Sequence, residues 1–496
     1  MSQKNPHLPS CIPVPISEDV LKELVEKAKD WAIMHGAAMR SKACFSEDSL
    51  NFAPFVLLPS TFPSQEFRRA VEVQIILNEL VHRVAHNREF LTTTLKETIQ
   101  VDEFTGNLFK IYETVQDEGV TQPLSLGLVR NDVMLEAALP DSTDKKASSE
   151  HLPVCCLKQV EFNTIASGFG WLGPVSADIQ RYVLQELGCF EHIQNLPENN
   201  ALAGLCQGML EAWKIYGDPK AVILFIVEDV TYNICDQRLH EFKIRELNPH
   251  VKVIRRTLTQ VGDNGSLNSN NELIIDGLVV SVIYFRAGYE PGHYPSKKEW
   301  DARLLMERSQ AIKSPSIQYH LAGTKKVQQA LAKSGILELF LTEAKKIESV
   351  RDIFTGLYGL DFDEFGDQAV QMALNEPDRF VLKPQREGGG NNFYGSEVRE
   401  VMLQMKDSRE RTAWILMERI LPPLSTGYIV RPAGSNPPPL CEMVSELGIF
   451  GVIIGDSEKI LVNKQVGHML RTKVSTANEG GVAAGLGALD SPYLID

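Results

Sequence analysis

Apolar residues near the start of the chain recur at helical spacing. Val20, Leu21, Leu24, Val25, Ala28, Trp31 and Ala32 fall on one helix face, with Ser17 as an N-cap and Glu18 and Asp19 in the first turn. A second helical stretch covers residues 66–99, and strand-like runs follow at 126–129 and 154–163 across the polar loop 141–150. From residue 221 the pattern changes. AVILFIVED is a continuous apolar strand, 233–247 is helical, and 251–257 is again a strand. That order predicts a βαβ unit, a parallel pair with a right-handed crossover. NELIID and LVVSVIYF flank Asp276-Gly277, which predicts a hairpin. Helices are expected from 325 to about 373, then short strands joined by glycine-rich loops. The chain divides on this pattern into residues 1–219, an α/β unit at 220–324, and residues 325–496. No apolar run approaches the roughly 20 residues that span a bilayer, so no transmembrane helix is expected.

Composition narrows the classes. The 496 residues, 43% hydrophobic and 23% charged, have ordinary globular composition and are enough for two or three domains with a sizeable core. Lys and Arg number 50 against 64 Asp and Glu, a net charge of −14. Nucleic acid and anionic membrane need a basic footprint and are not expected partners; an anionic small substrate needs only a local cation cluster. The 8 cysteines contain no C-x-x-C, and the adjacent Cys155 and Cys156 lack zinc-ligand spacing. With no secretory h-region, and a first arginine only at Arg40, the expected location is cytoplasmic. A cysteine nucleophile stays open beside the reading of these residues as buried and inert.

Three stretches carry chemistry. In 379–395, RFVLKPQREGGGNNFYG, a strand delivers Lys383 to a loop holding Glu387, then Gly388, Gly389 and Gly390. Successive glycines let backbone N–H groups face phosphate oxygens, Lys383 can neutralise phosphate charge, and Glu387 can hold a cation. The alternative is a surface loop with incidental charge. In Val160-Glu161-Phe162-Asn163, strand alternation sends Val160 and Phe162 to one face and Glu161 and Asn163 to the other. A carboxylate beside an amide oxygen suits Mg²⁺, and an ordinary polar strand face is the alternative. Arg471 and Lys473, at period two near Glu446 and the small-residue loop 479–485, could grip a phosphate or carboxylate, or form a solvated basic pair.

Two further matches point elsewhere. Gly168, Gly170 and Gly173 fit G-x-G-x-x-G, with Glu191 at the distance of a ribose carboxylate. Four residues separate the strand from Gly168, however, and that strand carries Lys158, Glu161 and Asn163, so a nicotinamide-dependent oxidoreductase is a secondary reading. Gly323-Thr324-Lys325-Lys326 resembles the tail of a Walker A loop without its leading glycine, so ATP binding here would belong to another fold class.

Side by side, these stretches resemble the eukaryotic glutathione synthetase family of the ATP-grasp superfamily. The likeness runs through SLGLVRND, VEFNT, NICDQR, YFRAGY, LAGTKKVQQ, KPQREGGGNNFYG, SELGIFGV, RTK and GGVAAG, in order over nearly the whole chain. It implies an α/β ATP-grasp fold with an inserted parallel α/β substrate-binding subdomain and a glycine-rich lid, in a homodimer. It implies ATP-dependent ligation of γ-glutamylcysteine and glycine through an acyl phosphate. Glu161, Asn163 and Glu387 match Mg²⁺ ligands. Lys325, Lys383, Asn392, Tyr394, Met417, Glu418, Arg419, Ile420, Glu446, Lys473 and Glu479 match ATP contacts, with Glu161 and Gly388 to Gly390. Arg130, Asn233, Gln237, Arg286, Tyr289 and Arg471 match positions that hold the dipeptide or reacting groups, as do Ile165, Ala166, Ser167, Gly168, Val482 and Ala483. Lys325, Lys383 and Arg471 are the expected catalytic groups. Ala166 and Gly168 replace serines common in relatives, and Glu479 replaces an aspartate. Relatives that accept β-alanine carry Leu-Pro where this chain has Ala483-Ala484, which favours glycine while leaving β-alanine as an alternative acceptor.

Overall fold

The computed structural model describes residues 6–137, 155–386, 390–478, 480–482 and 486–496. Its centre is a mixed thirteen-stranded sheet. Two long strands, Leu440–Gly455 and Ile460–Val474, pair antiparallel, and Ser125–Ala137 joins the other edge of the first. Cys155–Asn163 returns antiparallel along Ser125–Ala137. On the far side the sheet turns parallel, through Ile312–Ser314, Leu278–Phe285, Val222–Ile226 and Val253–Arg256. The βαβ unit is therefore present, its crossover helix being Ile234–Leu247. Asp276 and Gly277 close the predicted hairpin with φ of 51° and 77°, the double positive φ of a primed turn. At the centre of the parallel part, Val222–Ile226 is apolar on both faces and buried throughout.

A smaller antiparallel sheet orders Leu357–Gly359, Trp414–Glu418, Phe380–Pro384 and Phe393–Tyr394. Period-two alternation sorts its side chains. Phe380, Leu382 and Leu416 pack with Val370, Val398 and Met402 of the helices Glu364–Asn375 and Ser396–Met405. Val381, Lys383 and Met417 face the opposite way, into a cleft.

Several local expectations change. Val20 is 47% exposed rather than on the buried face, and Ser17 occupies the N-cap of Glu18–Met34 without a side-chain cap bond. The stretch expected to be helical from 325 to 373 contains the strand Leu357–Gly359, whose edge pairing decides its state. Most carboxyl-terminal strands are short as expected, but two, Leu440–Gly455 and Ile460–Val474, run to 16 and 15 residues. The pairing of Cys155–Asn163 slips at Val160, since Asp132 faces Glu161 while Val133 faces Gln159. That bulge turns Val160 to the cleft together with Glu161 and Asn163, instead of beside Phe162.

Candidate active site

The cleft holds about 650 Å³ and is lined from both sheets. Its charged wall is assembled by register. Glu446 lies directly opposite Arg471, and Asp132 lies opposite Glu161 on one side and Gly448 on the other. A Cβ at Gly448 would lie 2.8 Å from both Arg130 Cδ and Asp132 Oδ1, so the glycine makes room for that buried pair. Arg130 grips Asp132 with two bonds, Nε–Oδ1 at 2.6 Å and Nη2–Oδ2 at 2.7 Å. Asn163 donates its amide to Asp132 Oδ2 at 2.9 Å, which leaves its side-chain oxygen for another partner.

Cations converge on Glu161. Lys325, the first residue of the helix Lys325–Leu331, stands 3.7 Å from it. Lys383 donates to the Val160 carbonyl at the bulge, 3.1 Å away. Burial would raise the Glu161 carboxyl, but Lys325, Lys383, Arg471 and Arg130 together hold it down at about 2. Glu446 behaves oppositely. Burial, with Asp132 and Glu161 nearby, pushes it above the ordinary carboxylate range despite its bond from Arg471. Arg471 is held more firmly protonated than a free guanidinium: burial opposes its charge, but Glu446, Asp132 and Glu161 prevail.

Most predicted positions meet here. Glu161, Asn163, Lys325, Lys383, Glu446, Arg471 and Lys473 line the cleft. So do Asn392, Tyr394 and the segment Met417, Glu418, Arg419 and Ile420. Glu418 is anchored by Arg379 at 2.6 Å and by the Tyr358 hydroxyl at 3.2 Å. Lys325 also donates to the Arg386 carbonyl at 2.8 Å, tying the start of the glycine loop to the cleft. Gly390, with φ 78°, is exposed and does not line it. Glu387, Gly388, Gly389, Glu479, Ala483 and Ala484 lie outside the described residues. No three acidic, histidine or cysteine side chains cluster as metal ligands among the described residues.

Arg130, Ile165, Ala166, Gly168, Asn233, Gln237, Arg286, Tyr289 and Val482 line the same cleft. Ser167 does not; it is buried and donates to the carbonyls of Leu128 and Asn163 at 3.2 and 3.4 Å. Arg286 reaches Asp236 at 3.1 Å and the Tyr284 hydroxyl at 3.3 Å, while its Nε is buried without a partner. Asn233 Oδ1 is likewise buried and unpartnered. Such orphaned atoms at a cleft wall are what a bound polar ligand would satisfy.

Asp236 is a residue the sequence reading passed over. Its buried carboxylate accepts from the backbone N–H groups of Phe169, Trp171 and Leu172 at 3.0, 2.9 and 3.2 Å. Burial disfavours its charge, but Arg286, His240 and these N–H groups hold its pKa below the ordinary value. The G-x-G-x-x-G stretch is thereby explained. Three of its amides, those of Phe169, Trp171 and Leu172, are taken up by Asp236 at the start of the helix Leu172–Glu186 and do not face a pyrophosphate. Asp132 was also missed, although its spacing of two from Arg130 on one strand was a usable signal. No cysteine lines the cleft among the described residues.

The sequence model described as "Eukaryotic glutathione synthase, ATP binding domain" matches residues 18–494. The chain is 43% identical over 477 residues to the glutathione synthetase of Homo sapiens, covering 96% of this chain and 97% of that one. The Xenopus laevis glutathione synthetase is also 43% identical, over 478 residues, with the same shares covered. The chloroplastic glutathione synthetase of Solanum lycopersicum is 39% identical over 493 residues, 97% of this chain and 86% of that one. Among solved structures, a glutathione synthetase-like effector from Globodera pallida in its apo form superposes with a TM-score of 0.76, covering 97% of this chain and 98% of that one. At 24% identity that likeness shows the fold alone.

Proposed function

The chain belongs to the eukaryotic glutathione synthase family, and from that premise we propose how its cleft divides the work of an ATP-dependent ligase that makes glutathione. The fold is α/β, of the ATP-grasp kind. Function follows the family, and the nicotinamide alternative falls with it. The roles of the individual residues are our assignment. Support comes from one convergence above all: Glu161, Asn163, Lys325, Lys383 and Arg471 share a single cleft with Arg130, Arg286 and Tyr289.

Lys325, Lys383 and Lys473 bind the phosphates of ATP, and the segment 417–420 holds its base. Glu161 and Asn163, with Glu387, would hold Mg²⁺. The donor set fits a hard cation, with one carboxylate held ionised and one amide oxygen left over by the Asp132 bond. When bound, the ion adds positive charge beside the phosphate oxygens. Arg130, Arg286, Gln237 and Tyr289 hold γ-glutamylcysteine, and Val482 and Ala483 are assigned to glycine. The cysteinyl carboxylate takes the γ-phosphoryl group and ADP leaves; the glycine amine then attacks the acyl phosphate and phosphate leaves. Positioning and charge neutralisation suffice for such transfer, consistent with a cleft rich in Lys and Arg.

The three sequence divisions at 1–219, 220–324 and 325–496 are proposed as the ligand-binding body, the substrate subdomain and the ATP-grasp part with its lid. A homodimer is proposed on the family resemblance alone, and a cytoplasmic location on the sequence reading above. No helix among the described residues is long and apolar enough to cross a membrane.

Phosphate release from ATP with γ-glutamylcysteine, with and without glycine, tests the assignment. Release that depends on the dipeptide, with glutathione formed when glycine is present, is expected; no release under either condition would refute it. β-Alanine in the same assay should compete about 10- to 200-fold less well, the discrimination one methylene supplies.

A further inference from the structure

Four carboxylates line the cleft among the described residues: Glu161, Glu228, Glu418 and Glu446. Three of them face a cation, since Glu161 stands by Lys325, Glu418 is bound by Arg379, and Glu446 by Arg471. Glu228 differs. Among the described residues, no Lys or Arg nitrogen lies within 4.0 Å of it. Its Oε1 accepts from the Tyr289 hydroxyl at 3.2 Å and lies 3.8 Å from His293 Nε2. His293 Nδ1 accepts the Gly288 N–H at 3.0 Å, so the ring proton of the neutral form sits on Nε2. Burial lowers the His293 pKa although Glu290 and Glu228 oppose it, which favours the neutral imidazole; Arg286 feels the charge of Glu228 but makes no ion pair with it within 4.0 Å.

Glu228 and Asn233 stand on one loop, between the strand Val222–Ile226 and the helix Ile234–Leu247. Both offer acceptors to the cleft, a carboxylate and the buried, unpartnered Oδ1 of Asn233. The cations on this side, Arg130 and Arg286, suit carboxylates and repel an ammonium. γ-Glutamylcysteine carries two carboxylates and one α-ammonium, and the ammonium needs acceptors with negative charge. We propose that Glu228, oriented by Tyr289, recognises the α-ammonium of the γ-glutamyl residue and so makes the site specific for an α-amino donor. This rests on the ligase assignment above and names a contact within it.

Steady-state kinetics with γ-glutamylcysteine and with glutarylcysteine, its analogue lacking the α-amino group, test the proposal. Loss of a charge-assisted hydrogen bond corresponds to about 10- to 100-fold, and wild type should discriminate against the analogue by that factor in kcat/KM. Glu228→Gln should raise KM for the native dipeptide by a similar factor, leave KM for ATP and glycine unchanged, and discriminate less than about threefold. Glu228→Asp should restore part of the discrimination. If wild type accepts both peptides alike, or Glu228→Gln discriminates as wild type does, the proposal is overturned while the ligase assignment stands. Wild type that releases no phosphate with either peptide overturns both.

Discussion

The two sides of the cleft handle charge differently. On the side proposed for ATP, Lys325, Lys383 and Arg471 come from three separate elements and crowd around Glu161, pulling its pKa down to about 2. On the side proposed for the dipeptide, each arginine is already matched to a buried aspartate, Arg130 to Asp132 and Arg286 to Asp236. The first arrangement gathers cations from several elements around one carboxylate and gains most when a polyanion arrives. The second pairs its arginines with buried aspartates, keeps Glu228 as an acceptor beside them, and selects by the geometry of its hydrogen bonds. An ATP-dependent ligase needs both, since phosphoryl transfer is driven by charge neutralisation while the acceptor peptide must be recognised by shape.

The sharpest way to break this contrast is Lys383→Met. Turnover should fall about 10²-fold or more, as on removal of one preorganised donor, while calorimetry shows γ-glutamylcysteine still binding. Wild-type turnover would remove Lys383 from the phosphate side. Arg471→Ala comes next. It takes the cation from between Glu446, Asp132 and Glu161, so product formation should drop about 10²-fold with ATP affinity retained within several-fold. Lost ATP affinity with normal saturated turnover would make Arg471 a ground-state contact instead.

Asp236→Asn probes the other side. The exchange leaves Arg286 without its counter-charge and weakens three backbone bonds, so KM for the dipeptide should rise about tenfold with KM for ATP unchanged. Equal changes in both constants would erase the distinction between the sides.

The smallest effect is on pH. Glu446 is raised above its ordinary 4.5 by burial and by Asp132 and Glu161, whereas Glu161 lies far below it. As pH falls from 7, Glu446 therefore takes a proton first and its pair with Arg471 weakens, while Glu161 stays ionised. The acid limb of the rate profile should move to lower pH in Glu446→Gln. An unmoved limb would assign it to another group.

Much of the side proposed for ATP was legible as a cleft wall because it follows strand alternation. Lys383 on a strand with Phe380 and Leu382 had to face away from the core those residues build. The turn at Asp276-Gly277 and the βαβ unit were legible for similar local reasons. The bulge at Val160 was not, because an inserted residue shows only against its partner strand. Within the strand Leu440–Gly455, Gly448 is there for a contact with Arg130 and Asp132 more than 300 positions away, which no local pattern shows. Asp236 was illegible in the same way. An isolated carboxylate reads as a helix-start residue until the amides of 169–172 are seen to converge on it.

In the proposed division of labour the cleft sets a phosphoryl-transfer site against a peptide carboxylate. γ-Glutamylcysteine carrying ¹⁸O in its cysteinyl carboxylate tests this directly, with mass spectrometry of the phosphate released during turnover with ATP and glycine. One labelled oxygen should pass into each phosphate, because the carboxylate oxygen that took the phosphoryl group leaves with it. Phosphate free of label, formed at the same rate as glutathione, would contradict the account.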